Sequence, residues 1–307
     1  MSDNDAASRD QYGNLIDLAD GQFDIGGFRF GGDFDPILLD AFDPGDPEWS
    51  VQDSVNPFGG NTLFGRDYLN GPTWSFECFT NGYDIDDSLD AVTNMGRAWY
   101  NEELKSVNGT YQYLRYRLGS QVRRVYGRGR KFMAGVDGRS YGGTAPVSAT
   151  FKLMSNMYFD DVEREAVMPF VPPSTGGLTA PLEAPLTATG AGGRRGGTIP
   201  DVGGSVPTPF HAYIKGPIMR PWLESEDWRI QLNMNVEHDQ TIHISTYAGA
   251  LLVQDNFGRN YAGMLAPSTR LNNARLRPGP TSITFGGESV SGTASARVTW
   301  RPAYSTL

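Results

Sequence analysis

The sequence predicts a mainly β protein in two domains: an N-terminal β-sandwich that carries one α-helix, then a C-terminal β-sandwich. Three observations carry that expectation. Apolar and polar residues alternate at period two through most of the chain, whereas helical spacing occurs convincingly in one stretch. A Pro/Gly-rich segment, residues 169–209, interrupts the alternation. The length of 307 residues is one at which two cores are the usual outcome.

Residues 1–21 are polar and acidic apart from Leu15, Ile16 and Leu18, and read as a flexible arm. Residues 22–165 form the expected first domain. Its opening, Gly26 to Phe64, sets short apolar pieces such as Phe28–Phe30 and Ile37–Leu39 among Gly, Pro and Asp, a turn-rich β pattern. In Thr73–Thr80, Trp74, Phe76 and Cys78 alternate with polar neighbours, as in a half-buried strand. Leu89, Val92, Met95 and Trp99 then recur at spacings of three and four behind Asp86, Asp87 and Ser88, which predicts a capped helix with one face on a sheet. Gly96 weakens that helix by about 1 kcal/mol relative to Ala, so either the helix is short or its backbone approaches a neighbour closely there. Three long strand candidates follow, at 111–118, 121–137 and 145–158, with Gly119 and Gly142–Gly143 as turns.

Residues 166–307 form the expected second domain, beginning with the linker or wrapping segment 166–209. Beyond it, alternating pieces at Phe210–Ile214, Ile230–Val236, Ile242–Ile244, Leu251–Val253, Ile283–Phe285 and Ala294–Trp300 predict six or more short strands of a sandwich or jelly roll.

The formal charge of −9 is uneven: residues 1–53 hold 13 Asp or Glu against Arg9 and Arg29, a local balance of −11 that leaves +2 for the rest. That argues against nucleic-acid binding by the N-terminal region, because phosphate contacts need Lys and Arg. The opposite feature is the segment 115–131, where Arg115, Arg117, Arg123, Arg124, Arg128, Arg130 and Lys131 occur with no acid. Three readings fit it: charge pairing across a subunit or domain interface, a solvated basic face, and a single-stranded nucleic-acid groove with Tyr113, Tyr116 and Tyr126 as platforms.

Little in the sequence points to reactive chemistry. The one cysteine, Cys78, allows neither an internal disulfide nor a cysteine-based zinc site within one chain. His238 and His243, with Glu237 and Asp239, could be drawn together around a metal, but strand alternation places them poorly, and His211 lies apart. We expect no metal and no cofactor. Walker-type, HExxH and CxxC motifs are absent. No apolar run approaches the roughly 18 residues of a membrane helix, and the N-terminus has no basic-then-apolar secretion signal, so a soluble chain is expected.

Taken in order, GGFRFGGDFDPILLDAFD, the aromatic strand Trp74–Phe79, the helix 88–100 and YLRYRLGSQVRRVYGRGRKF resemble the N-terminal domain of siphophage distal tail proteins from phages of actinobacteria. FHAYIKGPIMRPWLE, QTIHISTYAG, RLRPGPTSITFGG and SARVTWRPAY are similar to the C-terminal half of that family. The resemblance implies a tail-tube-like ring-forming domain with one helix and a projecting β-hairpin, and a galectin-like β-sandwich. It also implies a non-enzymatic virion protein at the tail tip: a homohexameric ring joining the tail tube to the tip or baseplate and adhesion apparatus. Its partners would be copies of itself, the major tail tube protein, the tape measure protein and the hub protein, with no membrane and no nucleic acid beyond what passes through the ring. On that reading Arg115, Arg117, Arg123, Arg124, Arg128 and Arg130 are candidate interface residues. Two other classes stay open: a carbohydrate-binding module stacking sugars on Trp222 and Trp228, with Trp300 a third candidate, and a glycoside hydrolase recruiting two of the many carboxylates.

Overall fold

The computed structural model describes residues 17–56, 58–65, 67–107, 109–170, 196–288 and 293–307. Most of the predicted acidic arm, 1–16, and residues 171–195 of the Pro/Gly-rich segment therefore lie outside the described residues. The chain divides into two compact units, one running to Asp161 and taking in Tyr304–Leu307, the other spanning Val162–Ala303.

The first unit is built from β1 (Phe23–Ile25), β2 (Phe28–Phe30), β3 (Ile37–Asp43), β4 (Glu48–Ser50), β5 (Ser54–Val55), β6 (Thr62–Leu63), β7 (Tyr68–Asn70), β8 (Thr73–Thr80), α1 (Ile85–Tyr100), the short α2 (Glu102–Ser106), β9 (Gln112–Leu118), β10 (Gln121–Ala134), β11 (Pro146–Leu153) and β12 (Tyr158–Asp160). The main sheet runs β2-β1-β9-β10-β11-β8-β3. Its two end strands come back together where Gly31 bridges Leu38 and its N–H donates to the Ile37 carbonyl at 2.8 Å. A sheet that curls on itself leaves few free edges and encloses a core.

That core is aromatic. Phe23, Phe30, Trp74, Phe76, Tyr116, Phe151 and Trp99 are all buried, and Phe76 meets Phe23, Phe30 and Trp99 edge-on at 5.2–5.7 Å. The alternation read in Thr73–Thr80 holds: Trp74, Phe76, Cys78 and Thr80 face in.

The helix begins earlier than its apolar spacing suggests, because Asp84 caps it by accepting from the Asp87 N–H at 3.0 Å. Its buried face is Ser88, Ala91, Met95 and Trp99, while Leu89 is 47% exposed. The sequence reading placed Leu89 inward; Met95 and Trp99 face in as read, but at the start of the stripe Ser88 takes the place of Leu89, since its hydroxyl meets Thr80 at 2.9 Å and so tolerates burial. Gly96 does approach a neighbour closely: the Phe132 ring lies over it, 3.3 Å from where a Cβ would stand. The third strand candidate is two strands, since the chain turns after Leu153 and pairs again only at Tyr158.

The second unit contains β13 (Arg164–Pro169), β14 (Gly196–Ile199), β15 (Phe210–Lys215), β16 (Ile218–Glu224), β17 (Arg229–Gln231), β18 (Asn235–Val236), β19 (Thr241–Ser245), β20 (Leu252–Asp255), β21 (Thr281–Glu288) and β22 (Ser295–Trp300). One sheet runs β13-β22-β15-β19-β20, the other β14-β21-β16-β17 with β18 on β16. All pairings are antiparallel, and inward residues from both sheets, among them Phe210, Ile214, Leu223, Ile244, Phe285, Val298 and Trp300, make one core. This is a β-sandwich.

Candidate functional site

The basic run lies on the hairpin β9–β10, joined by the two-residue turn Gly119–Ser120 with Gly119 at φ +62°. Alternation sends its arginines to different surroundings. Arg115 and Arg124 sit opposite each other in the ladder and are both buried, at 1% and 2% exposure. Between them lies Asp161. Arg115 donates to it from Nε and Nη2 at 3.0 and 2.9 Å, Arg124 from Nη2 at 2.8 Å, and Arg115 Nη1 reaches Asp24 at 3.0 Å. Two cations and two carboxylates thus neutralise one another out of water, as burial demands. Burial alone would raise the Asp161 carboxyl, but the Arg124 and Arg115 guanidiniums hold it below the ordinary carboxylate range.

The other four arginines differ. Arg123 lies over the Tyr304 ring at 4.1 Å and donates to the Thr306 carbonyl at 2.7 Å. Arg117 reaches the Leu18 carbonyl at 2.7 Å and Asp17 at 3.6 Å, and Leu18 is buried, so residues 17–21 of the predicted arm are docked on this hairpin. Arg128 donates to the Thr110 carbonyl at 2.5 Å and to the Val107 carbonyl at 3.0 Å. Arg130 is exposed. Two of the early carboxylates, Asp17 and Asp24, pair with the basic run within the chain, and Arg115 and Arg124 are withdrawn from any surface.

Of the tryptophans, Trp228 and Trp300 are buried, with indole N–H groups donating to the Arg275 and Val202 carbonyls at 2.7 and 3.0 Å. Trp222 is half-buried: its ring rests on Gly286, and the Arg229 guanidinium lies over it at 4.6 Å. None of the three offers an open ring face for sugar stacking, because core packing and a cation occupy them.

The histidines pair differently from the sequence reading. His211 and His243, on adjacent strands, meet nitrogen to nitrogen at 3.1 Å, with His243 stacked on Tyr213 and His211 on Tyr247. Burial, with Arg301 nearby, pushes His211 down to about 4. Among the described residues no three His, Cys, Asp or Glu side chains cluster as a metal site.

Gly138, Ser140 and Gly142 match the G-x-S-x-G spacing of hydrolase nucleophile elbows, a match that motif reading of the sequence passed over. Here Ser140 is buried in a 3₁₀ turn, and its hydroxyl meets Asp137 at 3.3 Å. That is neither the strand-to-helix turn nor the exposed hydroxyl the chemistry needs. A cleft of about 400 Å³ in the second unit is lined by Met168, Ile199, Trp300, Glu165 and Asp201. Glu165 pairs with Arg297 at 3.8 Å, and Asp201 accepts the Gly203 N–H at 2.9 Å.

The most unusual surface is the excursion between β3 and β8. It is a nested hairpin, β4 paired with β7 and β5 with β6. Apolar side chains stand in solvent along it: Trp49 62%, Val55 79%, Phe58 97% and Phe64 85% exposed.

Comparison with known proteins identifies this architecture. The chain is similar to the Dit protein (gp 19.1) of phage SPP1, described as a paradigm of the hub adsorption apparatus of phages infecting Gram-positive bacteria. The two share 9% identity with a TM-score of 0.56 over 92% of this chain and 98% of that one. Its fold is that of Dit, the distal tail protein. Two chains from the phage P2 baseplate in its activated conformation, with Ca and with Sr, are 12% identical with TM-scores of 0.52 and 0.51, over 89% of this chain and 93% of theirs. No family model and no curated protein matches the sequence. The Dit fold thus survives here with almost none of the sequence of these structures, as expected when alternation and volume rather than particular residues fill a core. No helix among the described residues of this Dit-fold chain is long and apolar enough to cross a membrane.

Proposed function

We propose that the chain is a structural component of a siphophage tail tip. Six copies form a ring that joins the tail tube to the distal tip or baseplate and its adhesion apparatus, and the chain performs no catalysis. The observation that supports this most is the β4–β7 hairpin. A two-stranded ribbon is marginal in water, and one that exposes Trp49, Val55, Phe58 and Phe64 is stable only when another surface covers it.

A sister copy is the covering surface that repeats. The strands leading into the hairpin carry exposed Asp40, Asp43 and Glu77, whereas Arg29, Arg97, Arg130 and Lys131 are exposed on other elements of the same unit. Two different patches of opposite sign on one subunit make a heterologous contact, and repetition around an axis closes a ring. The tube protein, the tape measure protein and the hub protein are its proposed neighbours along the tail.

Light scattering on purified full-length chain tests this. We expect an assembly several-fold heavier than the 33.6 kDa monomer, and loss of that assembly in Phe58→Ser/Phe64→Ser at unchanged melting temperature. An assembly indifferent to the double substitution would sink the hairpin's role.

A further inference from the structure

A second exposed aromatic surface lies away from the hairpin, where three loops of the first unit are stapled together. The Asn81 N–H donates to the Pro36 carbonyl at 2.9 Å and the Gly82 N–H to the Gly143 carbonyl at 3.0 Å, while Thr80 Oγ reaches that same carbonyl at 2.9 Å. The contact between the last two loops is so close that a Cβ at Gly143, where φ is +86°, would collide with the Gly82 carbonyl. Each loop presents one aromatic ring to solvent: Phe34 at 100%, Tyr83 at 98% and Tyr141 at 70% exposure.

Each ring also stands on a fixed turn. Buried Asp35, next to Phe34, accepts the Gly32 N–H at 2.8 Å and the Gln22 amide at 2.9 Å. The Tyr83 N–H donates to Asp87 at 3.0 Å, and Tyr141 belongs to the 3₁₀ turn tied to Asp137 through the Ser140 N–H at 3.2 Å. Turns held this way lose little backbone freedom on contact. Around them Asp33, Asp84, Asp86 and Asp87 are exposed, and the rim's one exposed cation, Arg139, is already paired with Asp137 at 2.9 Å.

We propose that this rim, Phe34, Tyr83 and Tyr141 set among four exposed carboxylates, is the docking surface for a different polypeptide that presents lysine or arginine beside apolar side chains. Charge complementarity selects that occupant. A neutral glycan would bring no counter-charge to these carboxylates, and a membrane of anionic lipid would be repelled. A second copy docked rim to rim would set acid against acid, and in the proposed ring its exposed Arg29, Arg97, Arg130 and Lys131 already face the acidic strands beside the hairpin. The inference rests on the tail-tip reading, in which such a partner would be a neighbouring tail protein.

The test places p-benzoylphenylalanine at Phe34 or Tyr83 of the full chain, with position Met219 in the second unit as control. The labelled chain is assembled into tails, irradiated and digested for peptide mass spectrometry. Linkage from positions 34 and 83 to Lys- or Arg-containing peptides of another protein is expected, with at least a tenfold lower yield in Asp33→Lys/Asp86→Lys. That variant should melt only a few degrees below the parent, since both sites are exposed and the first-turn charge of α1 lost at Asp86 contributes little. Linkage to this chain's own peptides, linkage to saccharide, or no linkage in tails that contain the chain would overturn the proposal and leave the ring reading standing. Tails that lack the chain altogether would overturn both.

Discussion

Arg115 and Asp161 form a buried, multiply bonded ion pair: Arg115 Nε donates to both carboxylate oxygens at 3.1 and 3.0 Å and Nη2 to Oδ2 at 2.9 Å, with both side chains below 10% exposure. Asp161 is shared with Arg124, so it is the anion that bridges the two buried cations, while Asp24 pairs with Arg115. Asp161→Asn removes the charge and leaves those cations under-compensated. We expect a loss of about 3–5 kcal/mol in urea unfolding, and a loss under 1 kcal/mol would contradict the geometry. Because the Asp161 carboxyl is held low in the native state, the stability it confers is complete above the ordinary carboxylate pKa. It is lost as pH falls through the lower native value, so the variant should lack that part of the acid limb.

His211 titrates in the opposite sense to a salt-bridged histidine. Its native value of about 4 lies below the unfolded 6.5, so protons bind the unfolded chain first. Stability should be intact above about pH 6.5 and fall between about 6.5 and 4. His211→Gln should flatten that interval in a series of thermal melts, and an unchanged slope would refute the assignment.

Gly129 has no room for a side chain. A Cβ there would meet the Trp99 carbonyl oxygen and indole, which are part of the aromatic core. Gly129→Ala should cost roughly 1–3 kcal/mol as overpacking, read by thermal melting. Gly138→Ala, which meets nothing within 4 Å, is the neutral control.

Cys78 is buried, and burial, reinforced by Glu77 and Asp40, pushes its thiol up to about 12. Thiolate is the reactive form. A thiol reagent at pH 8 should therefore label the native chain at least a hundredfold more slowly than the urea-unfolded chain, and comparable rates would show the strand β8 to be open.

The sequence made the β architecture legible wherever alternation was local. Trp74, Phe76 and Cys78 could be assigned an inward face from their own neighbours, and the helical cost of Gly96 left a short helix or a close contact, of which the Phe132 ring shows the second. Helix register was less legible, because Ser88 enters the core through a hydroxyl bond to Thr80 that no apolar pattern reveals. The burial of part of the basic run was the least legible feature. Seven cations in 17 residues look like a surface, yet the anion that buries Arg115 and Arg124 is Asp161, 46 and 37 residues further on. His211 and His243 are likewise 32 residues apart, and only the ladder of β15 on β19 brings them together. The exposed hairpin and rim show the limit from the other side. Their aromatic residues are ordinary in composition, and only the fold shows that nothing among the described residues covers them.

Native mass spectrometry of the purified full-length chain tests the central claim most directly. The account predicts a dominant species of six times 33.6 kDa that dissociates as the salt concentration rises. A chain that stays monomeric at every concentration, with its hairpin aromatics still exposed, would contradict it.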